Sequence, residues 1–552
     1  MAEMLETLVN RTQTFAGQTQ AFLQTLSPIE LIATVFVTSS LAAAILFVWC
    51  ISASCPKFRN GPKWKFFWGS TLEFMNNFDR IDDWLYDGTK NYGKFKRAWG
   101  ASFISAGQFK NGMLCLVTPE EVKHVLKDNF ENYVKGDLVH DNYREFFGDG
   151  IFAVDGQMWK FHRKVAANMF STKLLIEGTE VAIDQAKKMM SLLEQKATRG
   201  EAVDLQPAFY AFTMDTFCSI AFGIELNSQV TPHAFAKAFD IAQELSTRRF
   251  QNPFWKLARL FNASSEVELR KQIGIIDGFA KRVIEARRRT LNDKSSNLGV
   301  DLVTRFLQRA KRNNEEIDTK ELRDIVLNFI IAGRDTTAAA LTWAIYELSR
   351  APEAVAVIRK EVAAFVPAGT SILDLPKAEV FSILSHQMVE TKSVVLEVLR
   401  LHPSVSLDVK TTIKADTLPT GVRVPAGCGI IYAPYSMGRN PELWKDPLKF
   451  DHTRFMQLAA KGDDSGPKSP RRLSVYRPTP VSDYKYPVFN AGPRLCLGRP
   501  LAMLEIQLIL CSLLQRFDLE PVKPFPVPPN RKVTIVSTSL DGISVKLTPR
   551  NL

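Results

Sequence analysis

Cys496 lies in Phe489-Asn490-Ala491-Gly492-Pro493-Arg494-Leu495-Cys496-Leu497-Gly498, a loop that leads into the apolar run Leu501 to Leu514. A thiolate in such a loop can ligate a metal whose porphyrin lies against the backbone. Gly492 and Gly498 would let the chain approach the ring, and Arg494 would pair with a propionate. The competing reading is a buried cysteine beside a Gly-rich turn, because free cysteines are often buried.

Two further groups of residues carry chemical information. Ala332-Gly333-Arg334-Asp335-Thr336-Thr337 sits in the middle of a helical pattern from Asp318 to Arg350. Glycine costs about 1 kcal/mol in a helix interior, and the Thr336 hydroxyl can divert a backbone carbonyl. A helix opened there would admit water and a proton route; a kink without chemistry is the alternative. Glu397 and Arg400, three residues apart in Ser393 to Leu401, share a helix face and can form a charge-assisted pair. Such a pair standing alone is usually a solvated bridge worth under about 1 kcal/mol.

The elements that must position these residues are mostly helical. Val181 to Gln195, Glu266 to Arg289 and Asp318 to Arg350 carry apolar residues at three-and-four spacing. Asp318 with Glu321 marks the start of the last of these, and Ser349 to Pro352 marks its stop. Short β-like runs lie at 102–108, 113–118, 411–413, 421–424 and 533–547. Residues 457–485, with prolines at 467, 470, 478 and 480, read as a surface loop. The expected fold class is mainly α (α+β), with small sheets.

The chain has 552 residues, 46% of them hydrophobic and 23% charged, as in ordinary globular proteins. Its seven cysteines are scattered, with no C-x-x-C pair, which excludes a disulfide framework and a zinc pattern and suits a reducing compartment. The net charge of +12 makes nucleic acid the first suspect. No basic block, zinc finger or RNA-binding aromatic motif accompanies it. A basic face for an acidic protein partner or anionic lipid is the better reading.

Leu31 to Ala53 is a run of 23 residues without a charge. As a helix it would span about 34 Å, enough to cross a bilayer. Ser27-Pro28-Ile29-Glu30 is a capping box before it, and Lys57, Arg59, Lys63 and Lys65 follow. Glu3, Glu6, Glu30 and Arg11 precede it, so the positive-inside bias leaves the C-terminal bulk in the cytosol. The expected organisation is a lumenal tail (1–30), a transmembrane anchor (31–55), a basic Pro-containing hinge (56–63) and a catalytic domain (64–552). Asn10-Arg11-Thr12 is a glycosylation sequon on the lumenal side.

The Cys496 loop resembles the F-x-x-G-x-R-x-C-x-G haem-binding loop of the cytochrome P-450 superfamily, and the Gly333 segment resembles its A-G-x-D-T-T motif. The resemblance covers roughly residues 60 to 550. It implies the cytochrome P-450 fold, with a long central helix over a non-covalent haem b, and Cys496 as the iron ligand. Asp335 and Thr336 would then handle protons, and Phe489 would belong to the haem loop. Trp159 and Arg163 resemble the W-x-x-x-R pair that binds a propionate, and Lys410 and Arg494 would supply two further cations. Glu397 and Arg400 resemble the E-x-x-R helix, with Arg454 completing a structural triad. Around Arg454, however, His452 and Thr453 depart from the usual pattern, and the tract before it is one residue short.

Several stretches are similar to the microsomal long-chain fatty-acid ω-hydroxylases of plants, fungi and protists. Among them are 132–136, 148–152, 249–253, 322–329 and 435–439. The resemblance implies NADPH electrons delivered by a membrane-bound reductase, with cytochrome b5 as a second donor, since no G-x-G-x-x-G fingerprint follows a strand here. It also implies an endoplasmic reticulum location. Phe146, Phe147, Phe152, Phe329 and Ile330 are expected to wall the channel. Hydroxylation of a sterol, alkane or terpenoid, a reductase-independent isomerase or dehydratase, and a haem-based sensor or electron carrier are the rival functions.

Overall fold

The computed structural model describes residues 37, 39–41, 71–91, 98–99, 112–252, 254–263, 265–292, 301–313, 317–458 and 476–551. The helices that frame the site are α1 (Gly136–Phe147), α2 (Gly156–Ala167), α3 (Thr172–Thr198), α4 (Leu205–Phe222), α5 (Ala234–Arg248) and α6 (Ser265–Asn292). They continue as α7 (Thr319–Leu348), α8 (Pro352–Phe365), α9 (Val389–Leu401) and α10 (Arg499–Arg516). Local chemistry sets several of their ends. The Asp204 carboxylate accepts the Gln206 N–H (3.0 Å) at the start of α4, and Gly223 closes that helix in the left-handed region. Pro352 occupies the first turn of α8, where its missing N–H costs nothing. Asp318 stands at the N-cap of α7 but makes no capping bond with its side chain.

One sheet has the order β1-β2-β5-β4-β3, built from β1 (Ala98–Trp99), β2 (Met113–Leu116), β3 (Tyr133–Val134), β4 (Asp408–Thr412) and β5 (Gly429–Tyr432). Only the β2–β5 pairing in it is parallel. Strands Phe517–Pro521, Ser544–Pro549 and Val203–Asp204 make a second, antiparallel sheet. A hairpin pairs Arg531–Val533 with Ser537–Ser539. Strand Met456–Leu458 pairs with Tyr476–Pro478, so the expected surface loop is bracketed by a two-stranded ribbon rather than irregular throughout.

Helix α7 passes through both large apolar clusters. Its first half, with Leu322 and Ile325 to Ile331, packs among α1, α5 and α6, and its second half, from Ala338 onward, packs among α3, α8, α9 and α10. Leu322, Ile330, Leu341 and Ile345 are fully buried, each contributing roughly 1.5–3 kcal/mol. That outweighs the glycine penalty of about 1 kcal/mol. The helix therefore runs unbroken through Gly333, contrary to the local opening expected there. Gly333 has a packing cause instead: a Cβ would fall 1.9 Å from the Phe217 ring of α4.

No helix among the described residues is long and apolar enough to cross a membrane. The expected span at 31–55 lies outside the described residues except for Val37 and Ser39 to Leu41, which are helical. The lumenal tail with its sequon, the hinge, the strand at 102–108 and residues 459–475 also lie outside them.

Candidate active site

The Cys496 loop is held by its own backbone. The Cys496 N–H donates to the Phe489 carbonyl (2.8 Å), and the Leu495 N–H to the Gly492 carbonyl (3.0 Å). Phe489 is half-buried under the Arg499 guanidinium, 4.9 Å from its ring centre. Gly492 is in the left-handed region, and a Cβ there would fall 2.2 Å from the Leu126 carbonyl oxygen. Its glycine is thus required by packing on the 126–127 turn, not by a ring as the sequence suggested. At Gly498 a Cβ would meet only Phe170 (3.7 Å) and the Cys496 sulfur (3.9 Å), an ordinary separation.

Among the described residues, Cys496 is the one exposed cysteine; Cys115, Cys218, Cys428 and Cys511 are buried. Yet enclosure by protein pushes the Cys496 thiol above its ordinary pKa, against the N–H groups of Gly498 and Arg499 and the charges of Arg163 and Arg499.

Cations converge near the sulfur. Trp159 is buried on α2; Arg163, one turn later, donates to the Leu495 carbonyl (2.8 Å). Arg494 is buried 4.6 Å over the Trp159 ring. It donates to Asp155 Oδ1 (2.7 Å) and to the carbonyls of Val154 (2.7 Å) and Ile151 (3.3 Å), while its Nε has no partner. Lys410, on β4, is fully buried, and its Nζ has no partner. The Asp408 carboxylate favours its charge from nearby but is hydrogen-bonded instead by Lys135 Nζ and by the Tyr432 hydroxyl (2.6 Å). Burial first, then the charges of Lys135 and Arg494, hold the Lys410 amine well below its ordinary pKa.

An unpaired buried ammonium is costly, so this arrangement fits an anionic group that is brought in from outside the chain. Propionates beside Lys410 and Arg494 and an iron on the Cys496 sulfur satisfy both features. The residues present therefore fit a haem.

Helix α7 carries the Ala332 to Thr337 segment. From Asp324 to Leu348 every residue is buried except Ala332, Gly333 and Thr336. Ala332 and Thr336, one turn apart on the same face, are half-buried and leave a small window there, while Phe217 packs on Gly333. Thr336 Oγ1 donates to the Ala332 carbonyl (2.7 Å), and the Thr336 carbonyl accepts the Ser404 hydroxyl (2.7 Å). Asp335 is buried beside the window and accepts from Arg334 Nη1 (2.9 Å). Burial raises its pKa to about 7; Arg334 opposes that shift and the Asp240 charge adds to it.

Of the five residues expected to wall the channel, four are buried and one is exposed. Phe146 and Ile330 are closed off in the core, Phe146 against Phe239 (4.9 Å between ring centres). Phe147 is likewise buried, between Phe146 and Phe152. Phe329 is buried too, and Phe152 alone of the five is exposed.

Below the cysteine loop, Glu397 and Arg400 are both fully buried in α9 and joined by two bonds of 2.7 and 2.8 Å. Arg454 Nε reaches Glu397 Oε1 at 3.2 Å, and its Nη1 donates to the Lys445 carbonyl (2.7 Å). Arg400 also donates to the carbonyls of Gly438, Pro447 (2.6 Å) and Lys449 (3.1 Å). The altered neighbours of Arg454 do not displace it: Thr453 turns to Asp451 Oδ1, while Ser393 bonds the His452 carbonyl.

Sequence reasoning missed Asp240 and Gln243 on α5 and Ser404, which close round Asp335 and Thr336. Arg334 had been noticed only as the variable residue of its motif. Its partner Asp240 lies 94 residues earlier with no local signal.

A cysteine loop with arginines near its sulfur, a long buried helix, a buried Glu-Arg-Arg triad and an unpaired buried lysine are the parts that a haem-thiolate protein requires. A family profile described as Cytochrome P450 matches residues 61–545. Cytochrome P450 704C1 of Pinus taeda is 32% identical, covering 94% of this chain and 98% of its own length. Cytochrome P450 704B1 of Arabidopsis thaliana is 31% identical (89% and 95% covered), and Cytochrome P450 94A1 of Vicia sativa is also 31% identical (86% and 87%). The chain belongs to the cytochrome P450 family of haem-thiolate monooxygenases.

Proposed function

We propose that the protein is a membrane-anchored monooxygenase that hydroxylates the terminal carbon of long-chain fatty acids, with electrons from NADPH through a separate reductase. The half-buried window at Ala332 and Thr336 is the observation that carries the catalytic assignment, because it leaves Thr336 and the adjacent Asp335 in position to handle protons. The motifs shared with ω-hydroxylases support the substrate class. Of these, Gly148 to Phe152 is tied to α7: Asp324 Oδ2 accepts the Asp149 N–H (2.9 Å), and Asn328 Oδ1 the Phe152 N–H (3.1 Å). A Cβ at Gly148 or Gly150 would fall 2.1 Å from the Asp324 carboxyl or 2.0 Å from the Asn328 amide. Only glycines fit that seam, which fixes the exposed Phe152 ring beside the catalytic helix.

In this reading Cys496 holds the haem iron, and Lys410, Arg494, Arg163 and Trp159 hold its carboxylates. The bound haem supplies the activation of dioxygen, which no side chain provides. The protein's own contribution is positioning. Primary C–H bonds are stronger than internal ones, so terminal selectivity requires walls that present the chain end first. The Glu397–Arg400–Arg454 triad keeps the loop segments 438–449 in register beneath the haem. Residues 31–55 would anchor the chain in the endoplasmic reticulum membrane with the catalytic domain in the cytosol, where a basic surface suits an acidic reductase or cytochrome b5.

Difference-spectrum titration with saturated fatty acids of graded length, followed by product analysis, tests the substrate class. A length optimum and a terminal alcohol are expected. Turnover of a sterol or terpenoid with no fatty-acid product would overturn it, and product formation without NADPH and reductase would replace it with an isomerase.

A further inference from the structure

Arg334 is buried between two carboxylates of opposite exposure. Its Nη1 donates to Asp240 Oδ1 (2.5 Å) and to Asp335 Oδ1 (2.9 Å), and its Nη2 to Asp240 Oδ2 (3.2 Å). The Asp240 side chain is 55% exposed, whereas that of Asp335 is 1% exposed. Tyr210 of α4 and Phe239 of α5 lie under the guanidinium, 4.7 and 5.8 Å from its centre. Gln243, one turn after Asp240, lies near enough to Asp335 to oppose the rise in its pKa, and it donates to Thr534 Oγ1 (3.1 Å) in the turn of the 531–539 hairpin. The groups facing Asp335 are thus Arg334 from its own helix, Asp240 and Gln243 from α5, and Tyr210 from α4, with Thr534 behind Gln243.

We propose that Asp240 is the solvent-side positioning residue for Asp335, acting through the guanidinium they share. A guanidinium does not give up its proton, so Arg334 is no carrier. It is a tether. When the Asp335 carboxylate takes a proton from water, its hold on Nη1 weakens from an ionic bond to a neutral one. Asp240 keeps both Nη atoms in place, so the arginine stays behind and the Asp335 carboxyl is released to turn toward the Thr336 window. Loss of the proton restores the ion pair and draws the carboxylate back. The proposal rests on Asp335 handling protons in the monooxygenase, not on the substrate being a fatty acid.

The Asp335 carboxyl can be titrated in the resting, full-length haem protein by infrared difference spectroscopy, its C=O band being the one lost in Asp335→Asn. Asp240→Asn removes a like charge and leaves Arg334 to Asp335 alone, so the midpoint should move to lower pH by about half a unit or more. Product formed per NADPH should fall several-fold at pH 7.5, with the reduced carbon-monoxide band and substrate affinity unchanged. Asp240→Glu should restore both. Glu244→Gln, on the same helix but paired with Lys532 and Arg248, should change neither. An unmoved midpoint in Asp240→Asn, or an equal shift in Glu244→Gln, would overturn the proposal. A shifted midpoint in a protein that ignores fatty acids would leave it standing and remove only the substrate assignment.

Discussion

At the scale of single residues, the site is distinguished by what its side chains lack. The Lys410 amine lies in the interior without a hydrogen-bond partner, and Arg494 Nε is similarly unpaired. A folded chain tolerates such a group only if something else completes it. Lys410→Met should therefore stabilise the haem-free protein, by about 1–3 kcal/mol, and weaken the loaded one. Chemical denaturation of the apoprotein and the rate of haem transfer to a scavenging apoprotein measure the two effects. Equal behaviour of both forms would show that Lys410 does not face a propionate. Asp335 is the complementary case: burial lifts it to about 7 although an arginine touches it. A carboxyl poised there changes protonation near neutral pH, as a proton-handling group must.

At the scale of elements, α7 reconciles a weak local sequence with a rigid helix. Phe217 of α4 fills the notch at Gly333, and buried side chains on both halves of the helix hold it straight. Gly333→Ala removes the propensity penalty of about 1 kcal/mol but forces Phe217 out of its place, an overpacking cost of about 1–3 kcal/mol. Net destabilisation of up to about 2 kcal/mol by thermal denaturation is expected, whereas an isolated helix would gain from the same change. Stabilisation of the whole protein would show that Phe217 moves freely. Arg400 works at the same scale: one fully buried guanidinium joins α9 to three carbonyls between Gly438 and Lys449. Replacing Glu397 with alanine would strand that charge and should cost about 3–5 kcal/mol, read as lower expression and loss of the haem band.

At the scale of the whole molecule, buried carboxyls set the dependence of stability on pH. Burial raises Asp335 and Glu347 to about 7 and Glu505 to about 8. Unfolded, these groups titrate near 4, so the folded state binds more protons between those values. Their contribution is complete below about pH 4 and is lost as pH rises through 7 and 8. On the acid side, burial alone would raise Asp408, but Lys135 and Lys410 outweigh it and hold it at about 2. Its contribution is present above about pH 4 and lost as pH falls toward 2. The melting temperature should accordingly decline from about pH 5 to about pH 8, and Glu505→Gln should flatten that decline. A melting temperature that is level over this range, or a slope that Glu505→Gln leaves unaltered, would contradict the assignment.

How much of this was legible beforehand depends on whether the information is local. The cysteine loop, the long helix and the Glu397–Arg400 spacing could be read directly, because a loop motif and a helical period are written in consecutive residues. The same holds for the charge-free run at 31–53 and the basic residues after it. The pairing of Arg334 with Asp240, the clamp of Gly148 to Phe152 on Asp324 and Asn328, and the isolation of Lys410 had no local signature. The first two join segments 94 to 176 residues apart, and whether a charge such as that of Lys410 is paired or stranded depends on burial, which exists only after folding. Even the glycines changed meaning: Gly492 and Gly333 answer to Leu126 and Phe217, neighbours that no spacing rule could name. Sequence alone determined which atoms are available for the chemistry, through local motifs and periodicity. Tertiary structure alone decided which of them face one another, because desolvation and packing act through space and not along the chain.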